Sequence, residues 1–382
     1  MKLALRALPL LVIAAIVVAI WQDVWNRPEP LGIDYHTYLA AARVGLEQGW
    51  SHIYDQTRVD VEQRLLVPDQ KSQPFLSPPT DAWLAVLLTT LPYLTSYWVW
   101  AAFTFVVYVL ALAWASTGSG LSRWLPVAAA IAPWWVLHGV RVGQVVPLVA
   151  AGVVIAWRLL REDRNIAAGL ALAVVLLKPN TAFMVPVVLL VAGRFRTVAA
   201  FAAVAVAVAG VALLTLGVGG TTDYVNQLRG PLPAGADSLT LERALGAGAG
   251  VADVARVLVV AATLVAAFRL RSSPGLVIAV GILGSLLATP YLHASDLCLL
   301  IVAGWIVWQE RPQIAWRVGF AAGWVLASPF VQYGGIGVLN PRVLDPRLDQ
   351  WPLLELVFLA GMLVVAWQVG RAHAGYKVVE AS

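Results

Sequence analysis

The chain has 382 residues, of which 60% are hydrophobic and only 12% are charged. Soluble domains carry about 25% charged residues, so the composition excludes a soluble enzyme and describes a polytopic membrane protein. The net charge of +5 is no nucleic-acid footprint, because the arginines fall in short clusters at the ends of apolar runs, where they orient spans and meet anionic headgroups.

Residues 4–22 are apolar enough to span a bilayer and are accompanied by Lys2 and Arg6. No small-residue cleavage site follows, which predicts a retained first span with a cytoplasmic N-terminus and residues 23–79 outside. Two helices are expected in that outer segment, at 34–48 and 55–67, separated by Gly49-Trp50. Tyr35, Tyr38, Leu39, Ala42 and Leu46 recur at helical spacing, which predicts an amphipathic helix lying on the membrane surface.

Further apolar runs lie near 80–95, 97–116, 122–138, 145–160, 166–178, 179–193, 197–217, 254–269, 274–290, 295–309, 314–331 and 351–370. Basic clusters at Arg158/Arg161/Arg164, Arg194/Arg196, Arg269/Arg271, Arg311/Arg317 and Arg371/Lys377 all fall inside under strict alternation, as does the C-terminus. The outer segments are then 23–79, the Lys178-Pro179-Asn180 tip, 218–253 and 332–350, joined by the turn around Tyr291-Leu292-His293. Five apolar runs precede Arg161 where an even number is required, so either 80–95 or the run broken by Pro126 and Pro133 is not a full crossing. About twelve spans result, in a single integral membrane domain over residues 1–382. Several of the 17 tryptophans (Trp21, Trp25, Trp98, Trp124 and Trp351) flank apolar runs as an interfacial belt requires. The single cysteine, Cys298, excludes an intramolecular disulfide and a cysteine-based metal site.

Polar chemistry concentrates at the outer tips. Asp34 precedes a helical stretch and reads as a helix N-cap, a role compatible with a catalytic one. Tyr35, His36 and Tyr38 in the same segment suggest a substrate cavity. His293 lies between two spans, and Asp296 three residues on is placed to orient its imidazole. Lys178, before Pro179, reads either as a snorkelling anchor or as a phosphate partner. In Arg141-Val142-Gly143-Gln144, Gly143 permits close backbone approach, and Arg141 and Gln144 offer donors to the phosphate of a donor substrate if the turn faces outward, or Arg141 is an orienting charge if it faces inward. No HExxH, P-loop, GxSxG or dinucleotide fingerprint occurs, and no Asp-x-Asp pair, so neither a cofactor nor a metal is expected. A sugar donor for such a chain would have to be carried by lipid.

A series of short motifs runs in order through residues 32 to 296. They are Asp34-x-x-x-Tyr38-x-Ala40-Ala41, Gly49, Ile53-Tyr54-Asp55, Phe75-x-x-Pro78-Pro79, Gly143-Gln144, Ala168-Gly169, Leu177-Lys178-Pro179, Arg194-Phe195-Arg196 and Thr289-Pro290-Tyr291-x-His293-x-x-Asp296. In this order they resemble the polyprenyl-phosphate-dependent glycosyltransferases of family 87, although Ser77 stands where a tyrosine is commoner. The resemblance implies an all-α bundle of the GT-C class with helices in its outer loops. It implies transfer of a hexose or pentose, such as mannose or arabinofuranose, from a polyprenyl-phosphate sugar to an envelope glycolipid or glycan. It also implies a bacterial, actinobacterial plasma membrane with the site on its extracytoplasmic face. Asp34 then maps onto the base and His293 onto a site-lining histidine.

The residues themselves agree with such chemistry. A single displacement needs one carboxylate and charge stabilisation on the departing phosphate, for which Lys178, Arg141 and His293 are the candidate cations. Beyond donor, acceptor and membrane lipid, no partner is expected. A transporter or lipid flippase is the main rival, but it would place charges near the midplane of paired broken helices. A non-catalytic scaffold is the second.

Overall fold

Apolar helices of unequal length, several too short to cross a bilayer, form a bundle whose polar tips meet at one end. The computed structural model describes residues 30–230, 239–245, 249–310, 317–319 and 355–368, with residues 18, 21, 22 and 24–26. Most of the first apolar run, the 314–331 run, the 332–350 loop and the C-terminal basic cluster lie outside the described residues. Every regular element among the described residues is helical.

The first outer segment holds α1 (Ile33–Gln48) and α2 (Gln56–Leu66), close to where the spacing predicts them. Their character differs from expectation. α1 is buried on most sides, from Tyr35 through Ala42 and again at Val44 and Gly45, so it is no surface-lying amphipathic helix. Small residues at 40–42 let it sink between α2, α3 (Pro79–Ala85) and α4 (Tyr93–Ala115). Its N-cap is Gly32 in the left-handed region, at φ 71°, and not Asp34, which lies inside the first turn. α2 is capped conventionally: the Asp55 carboxylate accepts from the Thr57 and Arg58 amides.

α3 and the 3₁₀ turn Val86–Leu88 form a ten-residue unit, too short to span. Of the two exceptions allowed by the sequence, length therefore favours the 80–95 run as the one that does not cross. α4 is a clear candidate span of 23 residues. α5 (Leu121–Ile131) and α6 (Trp134–Val142) are bent by 59° about Ala132-Pro133, because Pro133 cannot continue the backbone ladder.

α7 (Val146–Arg161), α8 (Asn165–Leu172, extended by 3₁₀ residues Ala173–Leu177), α12 (Pro274–Ala288) and α13 (Cys298–Gln309) form the buried heart of the bundle. α9 (Met184–Val191) packs on α12, tied by the Met184 amide to Ser285 Oγ at 2.9 Å. α10 (Phe195–Arg229) and α11 (Ala249–Arg269) supply the other two clear candidate spans. α10 is broken at Gly217, whose φ of 63° interrupts the helix. Its upper limb then lies across residues 50–52 of the outer segment, and Tyr224 stacks on Tyr54 at 4.5 Å. Part of the expected 218–253 loop is thus helix. α14 (Glu355–Gln368) closes the described chain. Three clear spans, or four with the bent pair, are resolved by length among the described residues, against the dozen expected.

The two ends of the bundle differ. Arg161, Arg194, Ser273 and Glu310 line one cavity at one end, and Ser116, Thr117, Arg158 and Gln309 adjoin it. At the opposite end, Gln144 precedes α7, Lys178 follows the 3₁₀ extension of α8, and residues 289–297 join α12 to α13. α7, α8 with its extension, and α12 rise only about 22–24 Å between these ends, against a hydrocarbon core of about 30 Å. These helices therefore stop short of a full crossing; at the second end, called the recess below, α1 packs on α6 and α3 on the 3₁₀ extension of α8.

Candidate active site

The left-handed turn at Gly143, with φ 76°, ends α6 and turns Gln144 inward. A Cβ at this glycine would lie 2.4 Å from the Tyr35 Cβ, so only glycine lets α1 approach so closely. The Arg141 carbonyl accepts from the Gly32 amide and from the Tyr97 hydroxyl, both at 2.9 Å, and Trp100 Nε1 donates to the Gly143 carbonyl at 2.8 Å. These bonds lock the start of α1 onto the end of α6.

Asp34 and Tyr38 share one face of α1, four residues apart, and both reach Gln144. Gln144 Nε2 donates to Asp34 Oδ2 at 2.6 Å. Gln144 Oε1 accepts from the Tyr38 hydroxyl at 3.1 Å and from Lys178 Nζ at 3.0 Å. Lysine can only donate, so the amide orientation is fixed by chemistry: its oxygen faces Lys178 and its nitrogen faces Asp34. Lys178 Nζ is also 2.6 Å from Asp296 Oδ1. Asp296 Oδ2 accepts from the His293 amide at 2.8 Å. The chain Asp34–Gln144–Lys178–Asp296–His293 thus joins four parts of the sequence.

Tyr291 and His293 complete the wall, with the Tyr291 hydroxyl 2.5 Å from His293 Nε2. Asn180 Nδ2 donates to the Tyr291 carbonyl at 3.1 Å and so ties the two tips together. His293 interacts electrostatically with Asp34 and Lys178.

Burial raises the pKa of Asp34 above the ordinary carboxylate value, and His293, Lys178 and the Gln144 bond restrain the rise. Asp34 nevertheless keeps accessible surface. Its Oδ1 accepts no hydrogen bond among the described residues, and its other oxygen is held. Burial, followed by the Lys178 charge, lowers the pKa of His293, against Asp296 and Asp34.

The remaining expected residues divide. Asp296 is fully buried and Lys178 is 8% exposed, so Lys178 is no snorkelling anchor. Arg141 is likewise buried, at 1% exposure. Gln144, expected at a phosphate, is engaged by Asp34, Tyr38 and Lys178. Tyr35 and His36 point away from the network. The Tyr35 hydroxyl pairs with Ser96 Oγ while its ring stacks on Trp100, and His36 Nε2 is 2.8 Å from the Gln63 carbonyl. They pack α1 against α4 and α2. Among the described residues no group of three His, Cys, Asp or Glu side chains has metal-binding geometry.

A sequence model of glycosyltransferase family 87 matches residues 75–290. The chain belongs to glycosyltransferase family 87. The matched stretch carries Arg141, Gln144 and Lys178; the fold brings Asp34, which precedes the stretch, to Gln144, and His293, just past its end, to Lys178. No curated protein and no solved structure matches the chain.

One further carboxyl of this glycosyltransferase was not anticipated. Asp81, the third residue of α3, is fully buried and shares with Asp34 the electrostatic influence of Lys178 and Tyr38. An aspartate in the first turn of a short helix reads as a dipole-favoured surface residue, and nothing local distinguishes it.

Proposed function

We propose that this family 87 enzyme transfers a hexosyl or pentosyl unit, mannosyl or arabinosyl, from a polyprenyl-phosphate sugar to an envelope glycolipid or glycan. The reaction takes place at the extracytoplasmic face of the plasma membrane, within one GT-C-like membrane domain. The observation that carries the reading is the held Asp34: one oxygen on Gln144 Nε2 at 2.6 Å, the other open.

In the reaction, Asp34 Oδ1 takes the proton of an acceptor hydroxyl as that oxygen bonds to the anomeric carbon. The bond from the anomeric carbon to the phosphate oxygen breaks, and its electron pair leaves with the polyprenyl phosphate. One displacement inverts the anomeric centre. A phosphate leaves without a proton donor, so the second carboxylic acid of a glycosidase is not required. Lys178 keeps a third N–H beyond those directed to Asp296 and Gln144, and with Arg141 it balances charge developing on the phosphate. Gln144 positions Asp34. The recess, short of a full crossing, suits a donor whose phosphate lies at the membrane surface while its chain stays in lipid.

The test is transfer by purified enzyme from a synthetic polyprenyl-phosphate sugar to a lipid-linked acceptor, with donor binding measured in parallel. General base catalysis is worth about 10²–10⁴-fold, so Asp34→Asn should bind donor normally and lose at least about a hundredfold in transfer. Normal turnover in a folded Asp34→Asn enzyme would remove the proposed base. Orientation is tested by Glu47→Cys in a Cys298→Ala background: position 47 is exposed and should react with an impermeant maleimide in intact cells.

A further inference from the structure

Asp81 is 0% exposed, and neither of its carboxyl oxygens has a hydrogen-bond partner of acceptable geometry among the described residues. Its surroundings are Ser77, the phenols of Tyr38, Tyr54 and Tyr224, and the charge of Lys178. Lys178 is already paired with Asp296 at 2.6 Å and bonded to Gln144 at 3.0 Å. Burial holds the Asp81 pKa well above the usual carboxylate value, against the weaker pull of Ser77 and Lys178. A shift in that direction favours the protonated carboxyl, which can donate one hydrogen bond and accept others.

Leaving such a group unpartnered destabilises the fold, and an apolar side chain of similar shape would be neutral or better. Asp81 stands beside a run of aromatic contacts. Tyr38 meets Phe75 at 6.4 Å, Phe75 stacks on Tyr54 at 5.3 Å, and Tyr54 stacks on Tyr224 at 4.5 Å. Aromatic faces with one acid that both donates and accepts are the complement of a sugar ring, apolar on its C–H face and edged by hydroxyls. The preceding segment, 71–77, contains no helix. It is held by side chains: Gln63 bonds residue 73 through both of its amide ends, Gln56 bonds Phe75, and the Tyr54 hydroxyl donates to the Ser77 carbonyl. Such a segment can yield where a backbone ladder cannot.

Resting on the proposed transfer reaction, we propose that Asp81 is the sugar-recognising residue of the recess, its carboxyl pairing with a hydroxyl of the transferred sugar beside Tyr38. It acts on substrate choice, and Asp34 acts on the proton.

The experiment compares wild type, Asp81→Asn and Asp81→Leu in thermal midpoint and in kcat/KM for the full donor and for its monodeoxy analogues. Asp81→Asn, which still donates and accepts, should stay within a few-fold of wild type. Asp81→Leu should melt no lower than wild type, yet lose at least about tenfold with the full donor. One monodeoxy donor should be poor for wild type but no poorer than the full donor for Asp81→Leu. Should Asp81→Leu not accumulate, Asp81→Ala reads the same discrimination. Undiminished transfer by the apolar variant, or equal losses for wild type and variant with every monodeoxy donor, would overturn the inference alone. A wild type inactive with every polyprenyl-phosphate sugar would instead overturn the functional reading and this inference with it.

Discussion

The two ends of the helix bundle are both polar, but they are built differently. At the arginine end the ion pairs are local and partly exposed: Arg158 meets Glu162 at 2.8 Å, one helical turn away, and Arg164 reaches Glu162 only at 3.9 Å. At the recess the partners are distant in sequence and mostly dry. Asp34 meets Gln144 across 110 positions, and Lys178 meets the fully buried Asp296. Exposed pairs of the first kind are worth about 0–1 kcal/mol and mainly orient the chain, whereas breaking a buried pair costs about 3–5 kcal/mol.

That contrast can be broken by substitution. The largest effect should come from Lys178→Met, which leaves Asp296 buried without its cation. A loss of about 3–5 kcal/mol in stability is expected, with a fall in transfer of at least about a hundredfold, read by thermal melting and by the donor assay. A variant of unchanged stability would show that the pair is solvated like those at the other end. Gly143→Ala comes next. Its Cβ would collide with Tyr35 Cβ in a backbone conformation that L-residues rarely adopt, and the strain, about 1–3 kcal/mol, should displace Asp34 and lower kcat. Tyr38→Phe removes one neutral bond to Gln144, worth about 0.5–1.5 kcal/mol, so transfer should fall about two- to tenfold. Arg158→Gln at the other end should leave stability within about 1 kcal/mol and transfer unchanged; a large loss there would erase the distinction between the ends.

Much of this contrast was legible in sequence at one end only. The arginine clusters announce themselves as charges punctuating apolar runs. Asp34, Lys178, Gln144, His293 and Asp296 were also visible as polar residues at span tips, because apolar surroundings make any such residue conspicuous. Their pairing was not visible, since nothing local links Lys178 to Asp296 or Asp34 to Gln144. Within 34–38, helical geometry alone separates Asp34 and Tyr38, on one face, from Tyr35 and His36, which turn toward Ser96 and Gln63. Spacing could have made that division. The shortness of α8 and α12 was hidden because hydropathy marks apolar runs and does not show where a helix ends within them. Asp81 was hidden for the opposite reason: its local context resembles an ordinary first-turn aspartate, and only the packing of α3 against α1 buries it.

The central claim is that Asp34 takes the acceptor's proton, and the pH dependence of single-turnover transfer tests it most directly. With donor prebound, wild type and Asp34→Asn would be followed from about pH 4 to 9. Burial raises the pKa of Asp34 above 3.8, so the ionised, active form is lost as pH falls through that raised value, earlier than for an ordinary aspartate. The account predicts a wild-type rate that declines on the acid side, and an Asn rate at least about a hundredfold lower and flat across the same range. The same acid decline in both enzymes, or an Asn rate equal to wild type, would contradict it.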